Sequence, residues 1–528
     1  MPVTIAIAIV LGMFIQQNID LSNVAFNIQT KHSKSSKIDQ VLNYIDKEYV
    51  DTVDVSEIVE TTIPVILKNL DPHSIYIPAK ELQAMNEPLE GNFDGIGVQF
   101  SIQNDTVTVI KTIPGGPSEK TGIKDGDRIV TVNDSLIAGV GIKNEQVMKL
   151  LRGKKGTKVK VGIYRHGEKE LIPFVIIRDA IPLYSVDVSY MLDNSTGYIK
   201  ISKFAKTTYT EFLGAVAKLK TQGMKKIIID LRGNSGGFLN SAINIADEFL
   251  EKGQLIVYTQ GRARSRTSYY ATNRISCGDL KMSILIDEWS ASAAEIVSGA
   301  IQDNDRGTIL GRRSFGKGLV QEPVAFDDGS AMRLTIARYY TPSGRCIQRS
   351  YKDGEEKYFE DIYHRYVDGE LLDKDSIHFA DSLKYYTVGG RVVYGGGGIM
   401  PDVFIPADTS GVTDYFTTVR RKGLEYQFSF EYTDKNRKIL SQFKTVDELV
   451  AYLDKQDLLN KFVIFAENKG VKRNNKEIKI SGNTIKIQIK ALIVRNIFDD
   501  AGYYPVIKNI DKTLLEALRL INEETNKN

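Results

Sequence analysis

The sequence predicts an α/β multidomain chain that opens with a helical segment and closes with a mostly helical extension. Three observations carry that prediction. The length of 528 residues suggests roughly three or four domains. Between residues 181 and 402, short apolar runs at 197–201, 227–229, 256–258 and 283–286 alternate with helix-spaced stretches at 209–222, 240–250 and 294–303, the pattern of a layered α/β core. Past residue 403, stretches 446–459 and 514–521 have the spacing of amphipathic helices packing on the core or a partner, and a polar segment at 468–484 interrupts them.

Composition narrows the classes. Hydrophobic residues make up 42% and charged residues 26%, which permits sizeable cores and excludes global disorder. The 69 basic and 66 acidic residues leave a net charge of +3, which argues against a dedicated nucleic-acid binder. Two cysteines, Cys277 and Cys346, allow one disulfide but no disulfide framework or Cys-rich metal site.

Residues 3–15 form an uncharged apolar run of about thirteen residues. That is short for a bilayer span of about twenty and suits the apolar stretch of a secretory signal. No basic stretch precedes it and no small-x-small cleavage site is clear before 18–27. A retained anchor, a cleaved signal and a buried helix therefore stay open, and the first two send the body of the protein out of the cytoplasm. Residues 31–37 read as a polar, basic tether. In 38–70, helical spacing runs through Val41, Leu42, Ile45 and Tyr49 and again through Ile58, Val59, Ile63, Ile66 and Leu67, with Pro64 marking a start or a kink.

The chemistry concentrates in 282–321. An apolar run, Met282-Ser-Ile-Leu-Ile286, leads into Asp287-Glu-Trp-Ser-Ala-Ser-Ala-Ala-Glu295 and a helix-like stretch at 296–301. Strand, small-residue turn and helix start together lift a serine hydroxyl out of the backbone, where free N–H groups and the helix dipole favour negative charge. A tetrahedral oxyanion would be stabilised there. None of the five histidines, His32, His73, His166, His364 and His378, lies in the block. Lys317, flanked by Gly316 and Gly318, is the candidate base. An ordinary lysine is neutral only about once in a few thousand molecules at pH 7. Burial shifts such a pKa by up to about 3–5 units, and three units correspond to roughly 4 kcal/mol. Spacing alone leaves open a plain reading, in which Lys317 is a loop lysine and Ser292 an N-cap.

Ser290-Ala-Ser-Ala-Ala-Glu295 followed by Ser314-Phe-Gly-Lys-Gly-Leu-Val-Gln321 resembles the carboxyl-terminal processing peptidases, also called tail-specific proteases, a serine–lysine family. The resemblance implies a nucleophile at Ser292 rather than Ser290, a general base at Lys317, and Gln321 orienting the lysine amine. Glu295 receives no chemical role beyond that of an ordinary acidic residue in a first helical turn. Asp230-Leu-Arg-Gly-Asn-Ser-Gly-Gly237 is similar to the loop these peptidases use for the oxyanion hole. That likeness pairs the N–H of Gly237 with the N–H of Ala293. Ala337-Arg-Tyr-Tyr-Thr-Pro-Ser-Gly-Arg-Cys-Ile-Gln348, Gly395-Gly-Gly-Gly-Ile-Met-Pro-Asp402 and Leu70-Asp-Pro-His-Ser-Ile-Tyr76 also resemble family segments. His73 in the last is expected to serve a structural turn rather than catalysis.

Residues 91–178 resemble a PDZ domain. Phe93-Asp-Gly-Ile-Gly-Val98 matches its carboxylate-binding loop, and Pro114-Gly-Gly-Pro-Ser-Glu-Lys-Thr-Gly-Ile-Lys-Asp-Gly-Asp-Arg-Ile-Val-Thr-Val-Asn133 its central signature. The groove helix is expected at 144–151 and a closing strand at 158–164. Successive N–H groups at Gly95, Ile96, Gly97 and Val98 would cradle a chain-terminal carboxylate while the adjacent strand adds the peptide to its edge. A purely structural module is the plain alternative, and the basic cluster Arg152, Lys154, Lys155, Lys158 and Lys160 reads as a solvated face.

The resemblance covers roughly 38–402 and implies this order: signal or anchor segment 1–30, N-terminal helical region 31–90, PDZ domain 91–178, serine-protease core of crotonase-like type 179–402, helical extension 403–528. The expected function is a serine endopeptidase that takes the C-terminal tail of a protein through the PDZ domain and cleaves by a Ser–Lys dyad and an acyl-enzyme. Docking of a tail is expected to bias the site between open and assembled states. No metal or organic cofactor is needed. The expected partners are proteins or peptides with apolar C-termini and no nucleic acid, with a homo-oligomer and membrane attachment through residues 3–15 left open. The expected location is the cell envelope, periplasmic or extracytoplasmic, anchored or secreted. A catalytically silent PDZ adaptor and an acyl-transfer enzyme acting on small thioesters are the rivals. Segment 262–274 reads either as a strand edge or as a flap, and 350–387 departs from the shorter version in relatives, leaving its role open.

Overall fold

The computed structural model describes residues 35–274 and 276–523. The apolar run 3–15 and most of the tether 31–37 lie outside them. Among the described residues no helix is long and apolar enough to cross a membrane. The chain divides into two units, 1–70 and 71–528. In the first, helices Ser35–Glu48 and Val55–Lys68 follow the predicted spacing, the second capped by the Asp54 carboxylate on the N–H groups of Ser56 and Glu57. Pro64 lies inside that helix rather than at its start.

In the second unit, period-two alternation decides which residues face which layer. A six-stranded sheet runs in the order Val186–Met191, Thr196–Ile201, Lys226–Asp230, Lys281–Ile286, Thr308–Gly311, Val403–Phe404. The first pair is antiparallel and the rest are parallel. Ile227, Ile229, Ile284 and Ile286 point to one face, where helices Thr208–Thr221, Leu239–Asp247 and Ala293–Asp303 cover them with Phe212, Ala246 and Val297. Ile228, Leu285 and Leu310 point to the other, covered by Leu514, Ala517 and Ile521 of helix Lys512–Glu523. Both faces are dry, as parallel strands require.

A second sheet joins Ile75–Ile77, Ala331–Tyr340, Leu255–Gln260 and Thr267–Tyr270, with Leu319–Ala325 also paired to Ala331–Tyr340. The 262–274 segment is thus an edge strand, with Arg266 stacked 3.8 Å over Tyr258. Cys277 and Cys346 are free thiols.

Ahead of the core, an antiparallel sheet orders Val98–Gln103, Thr106–Thr112, Arg128–Val132, Lys158–Tyr164 and Ile172–Ile177, around a core that includes Ile96, Val109, Val147 and Val161. Helix Asn144–Leu151 packs beside it, and Asn92–Gly95 pairs with Asp179–Pro182 where the module opens and closes. This is the PDZ architecture, and it precedes the α/β core.

The C-terminal region is helical, with Phe428, Leu453, Phe462 and Ile489 in its own core. Two expectations change here. The predicted helix 446–459 breaks into Val446–Leu453 and Leu458–Asn468 at Asp457, whose φ is +43°. The polar segment 468–484 is largely helix, because Asn474 caps Asn475–Phe498, Gly482 lies against Leu459 and Ser481 is fully buried.

An ionic latch ties this region to the core. The Arg232 guanidinium pairs with Asp230 at 2.6 Å and with Asp511 at 2.6 Å, just ahead of helix Lys512–Glu523. Burial opposes the Asp230 charge, yet Arg232 and Lys200 hold that carboxyl well below its usual range.

Truncating the helix that closes the lower face exposes sheet. Leu514→Ala is expected to lower unfolding free energy by about 2–5 kcal/mol, measured by chemical denaturation; a loss below about 0.5 kcal/mol would mean that the helix does not cover the sheet.

Candidate active site

Two serines share the turn after strand Lys281–Ile286, and their hydroxyls differ. Ser290 is fully buried, with Oγ accepting from the Asp287 N–H at 2.9 Å and donating to the Leu231 carbonyl at 2.8 Å. Its hydroxyl is consumed in joining two loops. Ser292 starts helix Ala293–Asp303 with φ +54° and ψ −112°, and its Oγ has no hydrogen-bond partner among the described residues. A non-glycine residue held at positive φ is strained, and such strain gathers at functional sites.

Glu295, one turn into that helix, is the residue the sequence did not single out. It is fully buried. One carboxylate oxygen accepts the N–H of Ser292 at 2.8 Å and of Lys317 at 2.9 Å; the other accepts Gly316 N–H at 2.8 Å and the Ser314 hydroxyl. Burial pushes its pKa up to about 7 against the pull of these four donors. Tyr339 adds a second tie, its hydroxyl donating to the carbonyls of both Ser292 (3.1 Å) and Lys317. The spacing between residues 292 and 317 is thus set twice through buried groups.

The Lys317 amine donates to Gln321 Oε1 at 3.0 Å. Gln321 in turn donates through Nε2 to the His73 carbonyl. Burial lowers the Lys317 pKa from 10.5, Arg333 lowers it further, and Asp71 and Glu295 oppose them. Gly316, at φ +89°, lets the loop press against 397–398: a Cβ there would sit 3.1 Å from the Gly398 nitrogen. His73 belongs to a turn in which the Asp71 carboxylate accepts the N–H groups of His73 and Ser74 at 2.9 Å. Its imidazole meets the Tyr358 hydroxyl at 2.9 Å, and burial drives its pKa down to about 3, so the ring is neutral.

The 230–237 loop runs beside Ser292. Ala291 N–H donates to the Asn234 carbonyl at 2.9 Å, and a side chain at Gly236 would strike Ser292 Cβ at 2.7 Å. Gly237, at φ +144°, bridges Phe204, and a Cβ there would lie 2.1 Å from the Phe204 oxygen. The N–H groups of Gly237 and Ala293 donate to no acceptor among the described residues. Among those residues, no cluster of His, Cys, Asp and Glu is arranged to hold a metal ion.

The 350–387 segment grips the lysine loop. Arg365 of helix Glu355–Val367 donates to the Ser314 carbonyl at 2.9 Å and the Phe315 carbonyl at 3.3 Å. Arg349 lies 4.0 Å from the ring centres of both Phe315 and Tyr358. Glu370 takes both arms of Arg313. No sequence pattern announces these contacts.

At the PDZ loop, the Ile96 side chain is buried in the module's core while the Ile96 and Gly97 N–H groups have no acceptor among the described residues. Val98 opens strand Val98–Gln103, which pairs only with Thr106–Thr112 and so forms the sheet edge.

Comparison with known proteins follows the same division. Residues 195–354 match the family model of peptidase family S41, 95–173 that of the PDZ domain, and 415–499 a family of unknown function, DUF8443. A carboxy-terminal-processing protease of Bartonella bacilliformis is 35% identical over 327 residues, covering 61% of this chain and 74% of that one. Carboxy-terminal processing protease CtpA of Bacillus subtilis is 33% identical over 388 residues, covering 73% of this chain and 80% of that one. A solved photosystem II D1 C-terminal processing protease covers 70% of this chain and 92% of its own, with 24% identity and a TM-score of 0.36.

The two serines separate by stability. Ser290→Ala is expected to cost about 1–3 kcal/mol, because a buried N–H and carbonyl lose their partner, whereas Ser292→Ala stays within about 0.5 kcal/mol of wild type. Denaturation of both variants checks this; equal losses would contradict it.

Proposed function

The chain belongs to the carboxy-terminal processing proteases of peptidase family S41, and on that premise we propose that it is a serine-type endopeptidase with a Ser292–Lys317 dyad, acting on protein tails held by its PDZ domain. One observation carries the reading: a desolvated lysine amine and an unpartnered serine hydroxyl at a strained helix start share one buried carboxylate oxygen through their backbones. A structural lysine and an N-cap serine need no such arrangement.

The chemistry runs as follows. The neutral Lys317 amine takes the Ser292 proton as Oγ attacks the scissile carbonyl carbon. Negative charge moves to the carbonyl oxygen, where the N–H groups of Gly237 and Ala293 receive it; each such donor is worth about 3–4 kcal/mol. Lys317 then returns the proton to the leaving amine, and the C–N bond breaks. Water, deprotonated by the same amine, hydrolyses the resulting ester. Gln321 aims the amine between these steps and is itself fixed on the His73 carbonyl. In the free protein the amine rests on Gln321, and the catalytic hydrogen bond forms when substrate is bound.

The edge strand Val98–Gln103 and the N–H groups of Gly95, Ile96, Gly97 and Val98 support capture of an extended tail with an apolar last residue. The apolar run 3–15 supports an extracytoplasmic site of action, anchored or secreted.

Wild type is expected to cut a protein ending in apolar residues, with fragments read by mass spectrometry, while Ser292→Ala and Lys317→Ala each lose at least about a thousandfold in kcat/KM. Equal cleavage by all three rejects the dyad. No cleavage by wild type across varied tails favours the silent adaptor.

The pH dependence has a fixed sign. The base works as the neutral amine, so kcat/KM rises with pH through the Lys317 pKa, which lies below 10.5. Arg333→Ala removes a like charge, raises that pKa and moves the rising limb to higher pH; Arg333→Lys leaves it in place. A limb that moves the other way, or not at all, contradicts the assignment of Lys317.

A further inference from the structure

The groove of the PDZ domain is not built by the PDZ domain alone. Helix Asn144–Leu151 ends near the carboxylate-binding loop, since Arg152 stacks 4.5 Å over Phe93 and Gly153 N–H reaches the Asp94 carbonyl at 3.4 Å. Its first residues therefore lie at the far end of strand Val98–Gln103. There a cavity of about 590 Å³ is lined by Phe100, Ser101, Ile102, Lys143 and Asn144, and its remaining wall is Tyr426. Tyr426 comes from helix Leu424–Leu440 of the C-terminal region, more than three hundred residues in the chain from Ile102 of the strand it faces. It is 39% exposed, and its phenol faces the Ser101 side chain.

The placement is braced from outside the groove. Lys111 pairs with Asp499 and Arg128 with Asp434 at 3.3 Å, both across the PDZ–helical junction. Arg437 and Asp434 also press on the Gly126 turn, where a Cβ would meet Asp434 Oδ1 at 3.3 Å.

We propose that Tyr426 is a specificity-determining residue of the tail groove, through which the C-terminal helical region reads substrate side chains upstream of the terminal residue. The proposal rests on the tail-binding reading above. A tail whose carboxylate sits at residues 95–98 and which extends along Val98–Gln103 advances about 3.3 Å per residue, so its third to fifth residues from the end face Ser101 and Ile102. Phe100 and Ile102 supply an apolar floor there and the Tyr426 ring an apolar wall, which suits an aliphatic or aromatic side chain at that depth. The ligand is thus the last five or so residues of an extended protein chain, apolar at both the terminal and the upstream position.

The test measures binding to full-length Ser292→Ala protein, which cannot consume its ligand. Two fluorescent peptides share the same apolar last three residues; one stops there and the other continues to eight residues with an aromatic fourth from the end. The longer is expected to bind about tenfold more tightly. Adding Tyr426→Ala should shrink that ratio to about twofold, Tyr426→Phe should keep it, and the double change Asp434→Asn with Asp499→Asn, which frees the helical region without touching the groove, should shrink it as well. A ratio that survives both Tyr426→Ala and the double change overturns the role of Tyr426 and leaves tail binding intact. Binding of neither peptide to Ser292→Ala protein overturns tail binding itself, and this inference with it.

Discussion

A buried carboxylate held by backbone N–H groups and a hydroxyl, rather than by an ion pair among the described residues, holds this site together. Glu295 is fully buried, yet the groups facing its two oxygens are three backbone N–H groups and one hydroxyl. Desolvating a carboxylate is costly, and charge-assisted hydrogen bonds to all of its available directions are what offset that cost. The consequence is geometric. Ser292 sits at a helix start and Lys317 in a loop, and neither element otherwise dictates where the other lies. Ser314 extends the arrangement outward, its N–H donating to the Ile399 carbonyl at 3.0 Å while its hydroxyl accepts the Ile399 N–H.

Around that centre, separate parts of the chain each immobilise one piece. Leu231 and Asn234 bind the turn ahead of Ser292 through Ser290 and Ala291. Arg365 and Arg349 immobilise the lysine loop from a segment inserted between core strands. The 71–77 turn reaches the same loop through Gln321. Positions within a catalytic constellation tolerate little drift, and here each is supported from a different direction.

Much of the architecture was legible because apolar period and glycine punctuation agree in the core. Strand Lys281–Ile286 and helix Ala293–Asp303 fall within two residues of their expected ends. The failures have physical reasons. Ser290 and Ser292 are indistinguishable in a turn of small residues; only the position of the Leu231 carbonyl, supplied by another strand, separates them. Glu295 looks like any acid in a first helical turn, because its second set of partners arrives from twenty residues downstream. Residues 468–484 read as an interruption of the helices because serine, glycine and asparagine are turn-formers, whereas here Gly482 lets two helices approach closely. The 350–387 segment gives no hint in sequence of the surface it serves, since a guanidinium that binds carbonyls looks like one that binds water.

The Arg232 latch has a consequence for biosynthesis. Arg232 belongs to the 230–237 loop, and one of its two carboxylate partners, Asp511, is translated 279 residues later. The sheet face beneath that loop likewise waits for Leu514, Ala517 and Ile521. A nascent chain still threading through the ribosome lacks these pieces, so the 230–237 loop acquires its full support only once the C-terminal helix has been made.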